Sequence, residues 1–283
     1  MNDLPQMGMA TAESRSPSSL LRIENVTKRF YRSDGTATQA LDGVTFDVDA
    51  QNFVALIGPS GCGKTTVLRL ANGLIEPDNG TVLMDGRTPR PGPDMGFVFQ
   101  AFRLIPWASA QKNIEFALEG LDLSKAERAE TARHYLDLVG LSRSADAYPA
   151  QLSGGMKQRV ALARALAGKP RVLLMDEPFA SLDAQTRELM QGELLSIWRQ
   201  FMPTVLFVTH SVDEALVLAD QVIVMGGGKV LESIAIDLPR PRVLSQLHAD
   251  PRYVELRSHL WNRIRELVLS DPASEFFGRN VSG

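Results

Sequence analysis

Cysteine is almost missing from this chain, since Cys62 is the only one among 283 residues. A single cysteine excludes a disulfide within the chain and suits a reducing compartment, so we expect the protein to work in the cytoplasm. Long apolar runs are missing as well. Because no stretch of about eighteen apolar residues occurs, the sequence predicts a chain that does not cross a membrane.

An excess of positive charge is also absent. The formal net charge is −3, so we expect no nucleic-acid partner and no basic surface for anionic lipid. Residues 1–20 are polar and lack an apolar core, which indicates a disordered leader rather than a signal peptide. With 44% hydrophobic residues and no internal repeat, the chain is long enough for one large α/β domain or two small ones.

The most informative stretch present is a glycine-rich loop. It follows the apolar run 53–57, precedes a helix expected over about 65–73, and fits the phosphate-loop pattern G-x-x-x-x-G-K-[ST]. Its members are Gly58, Pro59, Ser60, Gly61, Cys62, Gly63, Lys64, Thr65 and Thr66. Glycines let backbone N–H groups turn inward around an anion, and the helix dipole adds to that field. The loop therefore predicts binding of a nucleoside triphosphate.

Three side chains of this loop have specific expected roles. Lys64 is expected to reach the β- and γ-phosphates, and the Thr65 hydroxyl to ligate Mg²⁺. Cys62 precedes a helix N-terminus, where the dipole lowers the pKa of a thiol and makes it reactive. The alternative, which we favour, is that Cys62 only fills the loop, because phosphate binding there needs backbone atoms alone.

Polar side chains also stand where three later strand patterns end. Gln100 ends the pattern over 95–100, Asp176 and Glu177 end a buried apolar run, and His210 follows another. Such strand ends meet at the edge of an open α/β sheet where ligands bind. We expect Asp176 to contact hydrated Mg²⁺, Glu177 to polarise the attacking water and His210 to contact the γ-phosphate. The alternatives are a solvated strand end and a purely structural histidine.

A second helix start has the features of an anion site. Ser153 stands at the cap position of a helix expected to run to Ala167, and Gly154 and Gly155 follow it. As a local pattern, a serine before two glycines is more often only a helix cap.

The remaining patterns outline the architecture. Residues 21–27 and 44–48 alternate as half-buried antiparallel strands do, and no strand pattern occurs between about 101 and 170, which indicates an inserted helical subdomain. Ser124 begins a capping box within that insert. Phe30, near the first strand, either stacks on an adenine or belongs to the core.

Two helices near the end of the chain complete the pattern. A second capping box, Ser211 with Glu214, begins the helix that follows His210. A final amphipathic helix over 251–269 carries an apolar stripe, which we expect to pack on the core.

From about 21 to 240 the chain resembles the ATP-binding subunit of an ABC transporter. The motifs follow the family order: Phe30, the Walker A loop at 58–66, Gln100, the signature at 152–156, the Walker B strand ending at Asp176 and Glu177, Ser181-Leu182-Asp183, and His210. The segments 98–100 and 104–107, Met156 in place of the commoner glutamine, and Asp250-Pro251-Arg252 resemble the nitrate, sulfonate and taurine importer branch. Phe102-Arg103-Leu104-Ile105 departs from the Leu-Leu-Pro-Trp common there.

The resemblance implies a fold and a division of the chain. The fold is α/β, a P-loop NTPase (RecA-like) core with an antiparallel β subdomain and an inserted α-helical subdomain at about 101–165. The implied divisions are a leader (1–20), an ABC ATPase domain (21–240) and a C-terminal helical extension (241–283).

The resemblance also implies a mechanism and partners. Two cassettes, alike or paired, would sandwich two ATP molecules, so that Ser153, Gly154 and Gly155 of one cover ATP on the Walker A loop of the other. Gln100 is implied to join Thr65 and Asp176 at Mg²⁺ and to link hydrolysis to the insert. The insert would contact integral membrane permease subunits, fed by an extracytoplasmic solute-binding protein, and the chain would lie peripherally on the cytoplasmic face of the membrane.

The implied function is ATP-driven import of a small anionic solute of the sulfonate, taurine or nitrate class. An exporter ATPase, a soluble cassette ATPase acting on ribosomes or DNA, and a regulatory nucleotide-binding module remain as alternatives. Glu177 argues against the last, since a sensor has no need for a carboxylate that activates water.

Overall fold

A six-stranded sheet forms the centre of the protein, in a computed structural model that describes residues 19–271 and 274–278. Its strand order is β5-β6-β7-β3-β8-β9, and only β9 runs antiparallel to its neighbour. The strands are β3 (Phe53–Ile57), β5 (Met95–Val98), β6 (Val172–Asp176), β7 (Thr204–Val208), β8 (Gln221–Gly226) and β9 (Lys229–Ala235). Every residue of β3, β6 and β7 is buried, as expected for parallel strands covered on both faces.

A three-stranded antiparallel sheet lies beside this core. Its order is β2-β1-β4, and its strands are β1 (Ser19–Tyr31), β2 (Ala37–Asp49) and β4 (Asn79–Met84). The predicted pairing of half-buried antiparallel strands is confirmed, with Ile23 opposite Phe46. β1 begins at Ser19, and Leu20 is buried, so the first strand includes the end of the expected leader. Residues 1–18 of that leader lie outside the described residues.

Helices alone form the regular structure between 101 and 170. The insert contains α2 (Ala110–Ala117), α3 (Lys125–Leu138) and α4 (Gly154–Ala167), with two single-turn 3₁₀ helices between α3 and α4. The capping box at Ser124 is present, because its hydroxyl accepts from Glu127 N and the Glu127 carboxylate accepts from Ser124 N. The regular structure of this stretch is therefore helical, as the lack of strand patterns predicts.

The other helices cover the sheet or close the chain. They are α1 (Lys64–Ala71), α5 (Ala184–Phe201), α6 (Val212–Leu218), α7 (Leu244–Leu247) and α8 (Pro251–Ser270). Leu256 and Leu260 of α8 are buried in the main core, which confirms that this amphipathic helix packs on the protein itself. Within the described ranges, none of these helices has both the length and the apolar character needed to span a bilayer.

Two apolar layers lie on opposite faces of the central sheet. Along β3, Phe53, Ala55 and Ile57 belong to the layer with the insert, α5 and α6, whereas Val54 and Leu56 belong to the layer with α1 and the antiparallel sheet. This alternation follows from the two-residue period of a strand. Fully burying each large apolar side chain stabilises the fold by about 1.5–3 kcal/mol, so the sheet is a rigid base for the groups at its edge.

Candidate nucleotide site

The glycine-rich loop joins β3, in the middle of the sheet, to the first turn of α1. A Cβ on Gly58 would lie 2.1 Å from the carbonyl oxygen of Met225, and one on Gly63 would lie 2.5 Å from that of Ala40. Gly61 and Gly63 have φ values of +81° and +102°, which suit glycine. Only glycine fits at positions 58 and 63, where a Cβ would clash with backbone, whereas at Gly61 it is the positive φ alone that favours glycine. The backbone of the loop therefore turns closely around the start of the helix, as an anion cradle requires.

Lys64 is held inside its own loop. Its buried ammonium group donates to the carbonyl oxygens of Gly58, at 2.8 Å, and Pro59, at 2.9 Å. Next to this group is a cavity of about 330 Å³. The cavity is lined by Ala40, Ser60, Gly61, Gly63, Lys64, Thr65, Thr66, Gln100, Glu177 and His210. The Lys64 side chain thus ties the start of the loop to the residue that is expected to bind phosphate.

A hydroxyl and a carboxylate meet at the edge of this cavity. Thr65 Oγ1 donates to Asp176 Oδ1 at 3.0 Å, which links the first turn of α1 to the end of β6. Burial raises the pKa of Asp176, and the hydrogen bond from Thr65 partly offsets that effect. The pair offers the hard oxygen donors that Mg²⁺ prefers. No cluster of three or more His, Cys, Asp or Glu side chains suited to a metal occurs within 19–271 and 274–278.

Glu177 lies between two polar side chains from neighbouring strands. Gln100 Nε2 donates to Glu177 Oε2 at 2.9 Å, and His210 Nε2 contacts Glu177 Oε1. Gln100 follows β5, Glu177 follows β6 and His210 follows β7, and these three strands are consecutive in the sheet. The ends of these three strands therefore lie at one edge of the sheet, as the sequence predicts.

The backbone of Glu177 adopts an unusual conformation. Its φ is +47°, which is uncommon for a residue with a side chain, and its N–H donates to the carbonyl of Val208 at 3.0 Å. Strained backbone that the surrounding structure enforces is concentrated at functional sites. The residue with this conformation is also the one whose carboxylate contacts His210.

Comparison with known proteins agrees with this geometry. A family model described as "ABC transporter" matches residues 41–180. The nitrate import ATP-binding protein NrtD of Synechococcus elongatus is 47% identical over 247 residues, which cover 85% of this chain and 90% of that protein. The chain belongs to the ABC transporter family.

Two further relatives extend the comparison. The bicarbonate transport ATP-binding protein CmpD of Synechococcus elongatus is 41% identical over 93% of this chain and 98% of its own length. Among solved structures, a dimeric structure of the ATP-binding cassette MJ0796 bound to ADP and Pi superposes with a TM-score of 0.70. Its sequence is 33% identical, and the match covers 77% of this chain and all of that one. The predicted P-loop fold and the resemblance to nitrate-type importer subunits are confirmed. The relatives do not favour the exporter or soluble-cassette alternatives.

The signature residues of this ABC subunit lie outside the cavity. Ser153 caps α4 by accepting from Met156 N at 3.3 Å, and Gly154 and Gly155 form the first turn of the helix. Ser153 and Gly154 are exposed, and none of the three lines the cavity next to Lys64. Within one chain, the two glycine-rich helix starts are therefore not brought together.

Phe30 is likewise not part of the cavity lining. It lies in β1 opposite Thr38, is 38% exposed, and has the Lys28 ammonium 5.9 Å from its ring centre. Ala40 of β2 lines the cavity instead. Sequence reasoning missed Ala40 because a small apolar residue in a strand carries no chemical signal. Stacking of Phe30 on adenine remains a prediction.

Cys62 does not have the reactive character that a helix dipole suggests. It is only 5% exposed, and burial raises the pKa of its thiol, although the nearby Lys64 ammonium acts in the opposite direction. The less favoured alternative, a lowered pKa, was wrong because the dipole argument ignored desolvation beneath the loop. The favoured alternative, a small residue that fills the loop, agrees with this burial.

The predicted capping box after His210 is only half formed. Ser211 Oγ accepts from Glu214 N at 3.2 Å, but the Glu214 carboxylate accepts from Thr209 Oγ1 at 2.5 Å instead of returning to the cap. Glu214 is buried and burial raises its pKa. The residues on both sides of His210 are therefore tied to each other, which fixes the turn from β7 to α6.

Proposed function

We propose that this protein hydrolyses ATP as the subunit that powers uptake of a small anionic solute through separate membrane subunits. The observation that carries the proposal is the convergence of a Walker A loop, the Thr65–Asp176 pair and the Gln100–Glu177–His210 contacts at one sheet edge. Relatives named for nitrate import and bicarbonate transport support a small anion as the solute. The sulfonate, taurine and nitrate classes are the candidates that we propose.

Mg²⁺ fits the residues present. The Thr65 hydroxyl and the Asp176 carboxylate lie 3.0 Å apart, and Mg²⁺ typically uses one or two protein oxygens together with phosphate oxygens and waters. The Gln100 side-chain oxygen is the third proposed donor. When bound, the ion neutralises charge that develops on the transferred phosphoryl group.

The chain's own residues would position the other reacting groups. Lys64 would place its ammonium at the β- and γ-phosphates, and the backbone N–H groups of residues 58–66 would cradle them. Glu177 would accept a proton from the attacking water as the water oxygen bonds to the γ-phosphorus and the bond from that phosphorus to the β–γ bridging oxygen breaks, which leaves ADP and phosphate. Gln100 and His210 hold the Glu177 carboxylate from two sides, and His210 would also contact the γ-phosphate, so the geometry is set before reaction.

We further propose that two cassettes complete each site. Ser153 and Gly154 are exposed at a helix N-terminus, where N–H groups and the dipole favour an anion. The related cassette MJ0796 is dimeric in its structure with ADP and Pi. In a head-to-tail pair of this chain, Ser153, Gly154 and Gly155 would cover ATP on the partner's Walker A loop.

The surface proposed for the membrane subunit is a cleft between the insert and the edge strand β5. Its volume is about 450 Å³, and its lining includes Phe97, Phe99, Arg103, Phe116 and Arg164. Phe116 and Arg103 are exposed and the other three are half-buried, and exposed aromatic and arginine side chains favour a protein partner. Because Gln100 immediately follows Phe99, this cleft would connect a permease helix to the hydrolysis site. Through such contacts the chain would lie peripherally on the cytoplasmic face of the membrane, with an extracytoplasmic solute-binding protein as an indirect partner.

Growth on defined nutrients tests the proposed solute class. In a strain deleted for this chain, we expect loss of growth on one sole source among taurine, alkanesulfonates and nitrate, because uptake of that solute has no other driver. The intact chain should restore growth, whereas Glu177→Gln should not. Normal growth on all of these sources would contradict the proposed solute class.

A further inference from the structure

The C-terminal helix α8 is joined to the turn that carries His210. Asp213, in the first turn of α6, accepts a hydrogen bond from Tyr253 Oη at 2.6 Å and another from Arg257 Nε at 2.7 Å. Tyr253 is 1% exposed, so its hydroxyl is fixed by packing as well as by this bond. Two residues of α8 thus hold a carboxylate that lies three positions after His210.

The same C-terminal segment holds the other end of α6. Arg242 is buried, and its guanidinium donates to the carbonyl oxygen of Leu216 at 3.1 Å and to that of Ala219. Arg240 Nη2 donates to the carbonyl of Leu218 at 2.7 Å. These bonds satisfy carbonyl groups that the end of a helix leaves without partners. α6 is therefore fixed at both ends by residues that follow the hairpin of β8 and β9.

Next to His210, α8 and the turn are separated by a cavity. Its volume is about 540 Å³, and it is lined by His210 and Asp213 on one side and by Trp261, Ile264 and Val268 of α8 on the other. Because of this cavity, packing between α8 and the turn cannot hold the turn in place. The hydrogen bonds at Asp213 are where α8 constrains it.

We propose that Tyr253 and Arg257 are positioning residues, which keep His210 aligned with Glu177 through Asp213 and the first turn of α6. This inference rests on the role proposed above for His210 and Glu177. The chain of contacts is short, since Ser211 N donates to Thr209 Oγ1 at 3.0 Å and Glu214 N to Ser211 Oγ at 3.2 Å. Displacement of the first turn therefore moves His210 directly.

The charge state of Asp213 supports the constraint. Burial alone would raise its pKa, but the hydrogen bonds from Arg257 and Tyr253 outweigh burial and the pKa lies below its usual value. Asp213 is therefore a carboxylate at neutral pH, and its bond to Arg257 is charge-assisted. If Arg257 or Tyr253 no longer donates, the partly buried Asp213 carboxylate is held more weakly. The first turn of α6 can then move toward water.

Steady-state ATP hydrolysis by the full chain tests the proposal. Arg257→Met and Tyr253→Phe are each expected to lower kcat by about 10- to 100-fold, the size of effect that a misplacement of roughly 1 Å causes. KM for ATP should stay within about twofold of the parent value, because the hydrogen bonds at Asp213 involve no residue of the Walker A loop and ATP binding there should be unchanged. Arg257→Lys, which keeps a donor and the charge, should restore part of kcat.

The matched control is Arg263→Met, also on α8. Arg263 pairs with Glu266 of the same helix at 3.2 Å and makes no bond to Asp213 among those described above. The Arg263→Met protein should therefore hydrolyse ATP at the parent rate. Thermal melting checks that each variant is folded. If Arg257→Met does not fold, Tyr253→Phe still tests the proposal, because it keeps the buried ring and removes only the hydroxyl.

A double-mutant cycle separates positioning from a general loss of structure. In a His210→Ala background, Arg257→Met should cause no further loss of kcat, because its effect passes through His210. If the double variant loses kcat by the product of the two single losses, the inference is overturned. It is also overturned if His210→Ala is slow while Arg257→Met and Tyr253→Phe both keep the parent kcat. A parent rate in His210→Ala alone would instead contradict the proposed role of His210.

Discussion

Glu177→Gln should lose nearly all ATP hydrolysis while keeping ATP binding. The amide has the shape of the carboxylate but cannot accept a proton from water, and a positioned general base contributes about 10²- to 10⁴-fold to a rate. Gln100 Nε2 already donates to Glu177 at 2.9 Å, and an amide oxygen still accepts that bond. We therefore expect phosphate release to fall by about 10²-fold or more, with the Kd for a fluorescent ATP analogue unchanged.

The control for this variant is Glu76→Gln, an exposed carboxylate in the loop between α1 and β4. It should hydrolyse ATP at the parent rate. Parent-rate hydrolysis by Glu177→Gln would move the general base to another residue.

Lys64→Ala should weaken ATP binding itself. The buried ammonium group belongs to the single lysine or arginine in the cavity lining described above, and it also donates to the carbonyls of Gly58 and Pro59. A hydrogen bond to a charged group contributes about 1.5–3 kcal/mol, so Kd should rise by about 10- to 100-fold. Titration of ATP followed by isothermal calorimetry measures this directly.

Lys125→Ala, at an exposed position that begins α3, is the matched control. It should leave Kd unchanged. Parent affinity in Lys64→Ala would contradict the assignment of residues 58–66 as the phosphate cradle.

Much of the fold follows from local sequence patterns. Completely apolar runs predict the buried parallel strands β3, β6 and β7, and the spacing of residues 58–66 predicts the loop with its helix. The end residues Gln100, Glu177 and His210 could be selected because each follows a strand. Their contacts could not be predicted locally, since the order β5-β6-β7-β3 brings together strands that are far apart in the chain.

Other parts of the site depend on packing that no local pattern contains. Arg257 is 44 positions from Asp213, and on the sequence both are ordinary charged residues of helices. Gly58 is required because a Cβ at this position would lie 2.1 Å from the carbonyl oxygen of Met225, which is on a different strand. The raised pKa of Cys62 could not be derived from the sequence for the same reason, because it comes from burial.

The central claim is that one chain holds only half of each hydrolysis site. Light scattering of Glu177→Gln with and without saturating ATP tests it most directly, together with the double variant Glu177→Gln/Gly154→Asp. We predict that ATP converts Glu177→Gln to a species with the mass of two chains. The double variant should bind ATP with similar affinity but remain a single chain, because the added carboxylate repels the partner's phosphates. A Glu177→Gln chain that stays single with ATP bound, or a double variant that pairs equally well, would contradict the account.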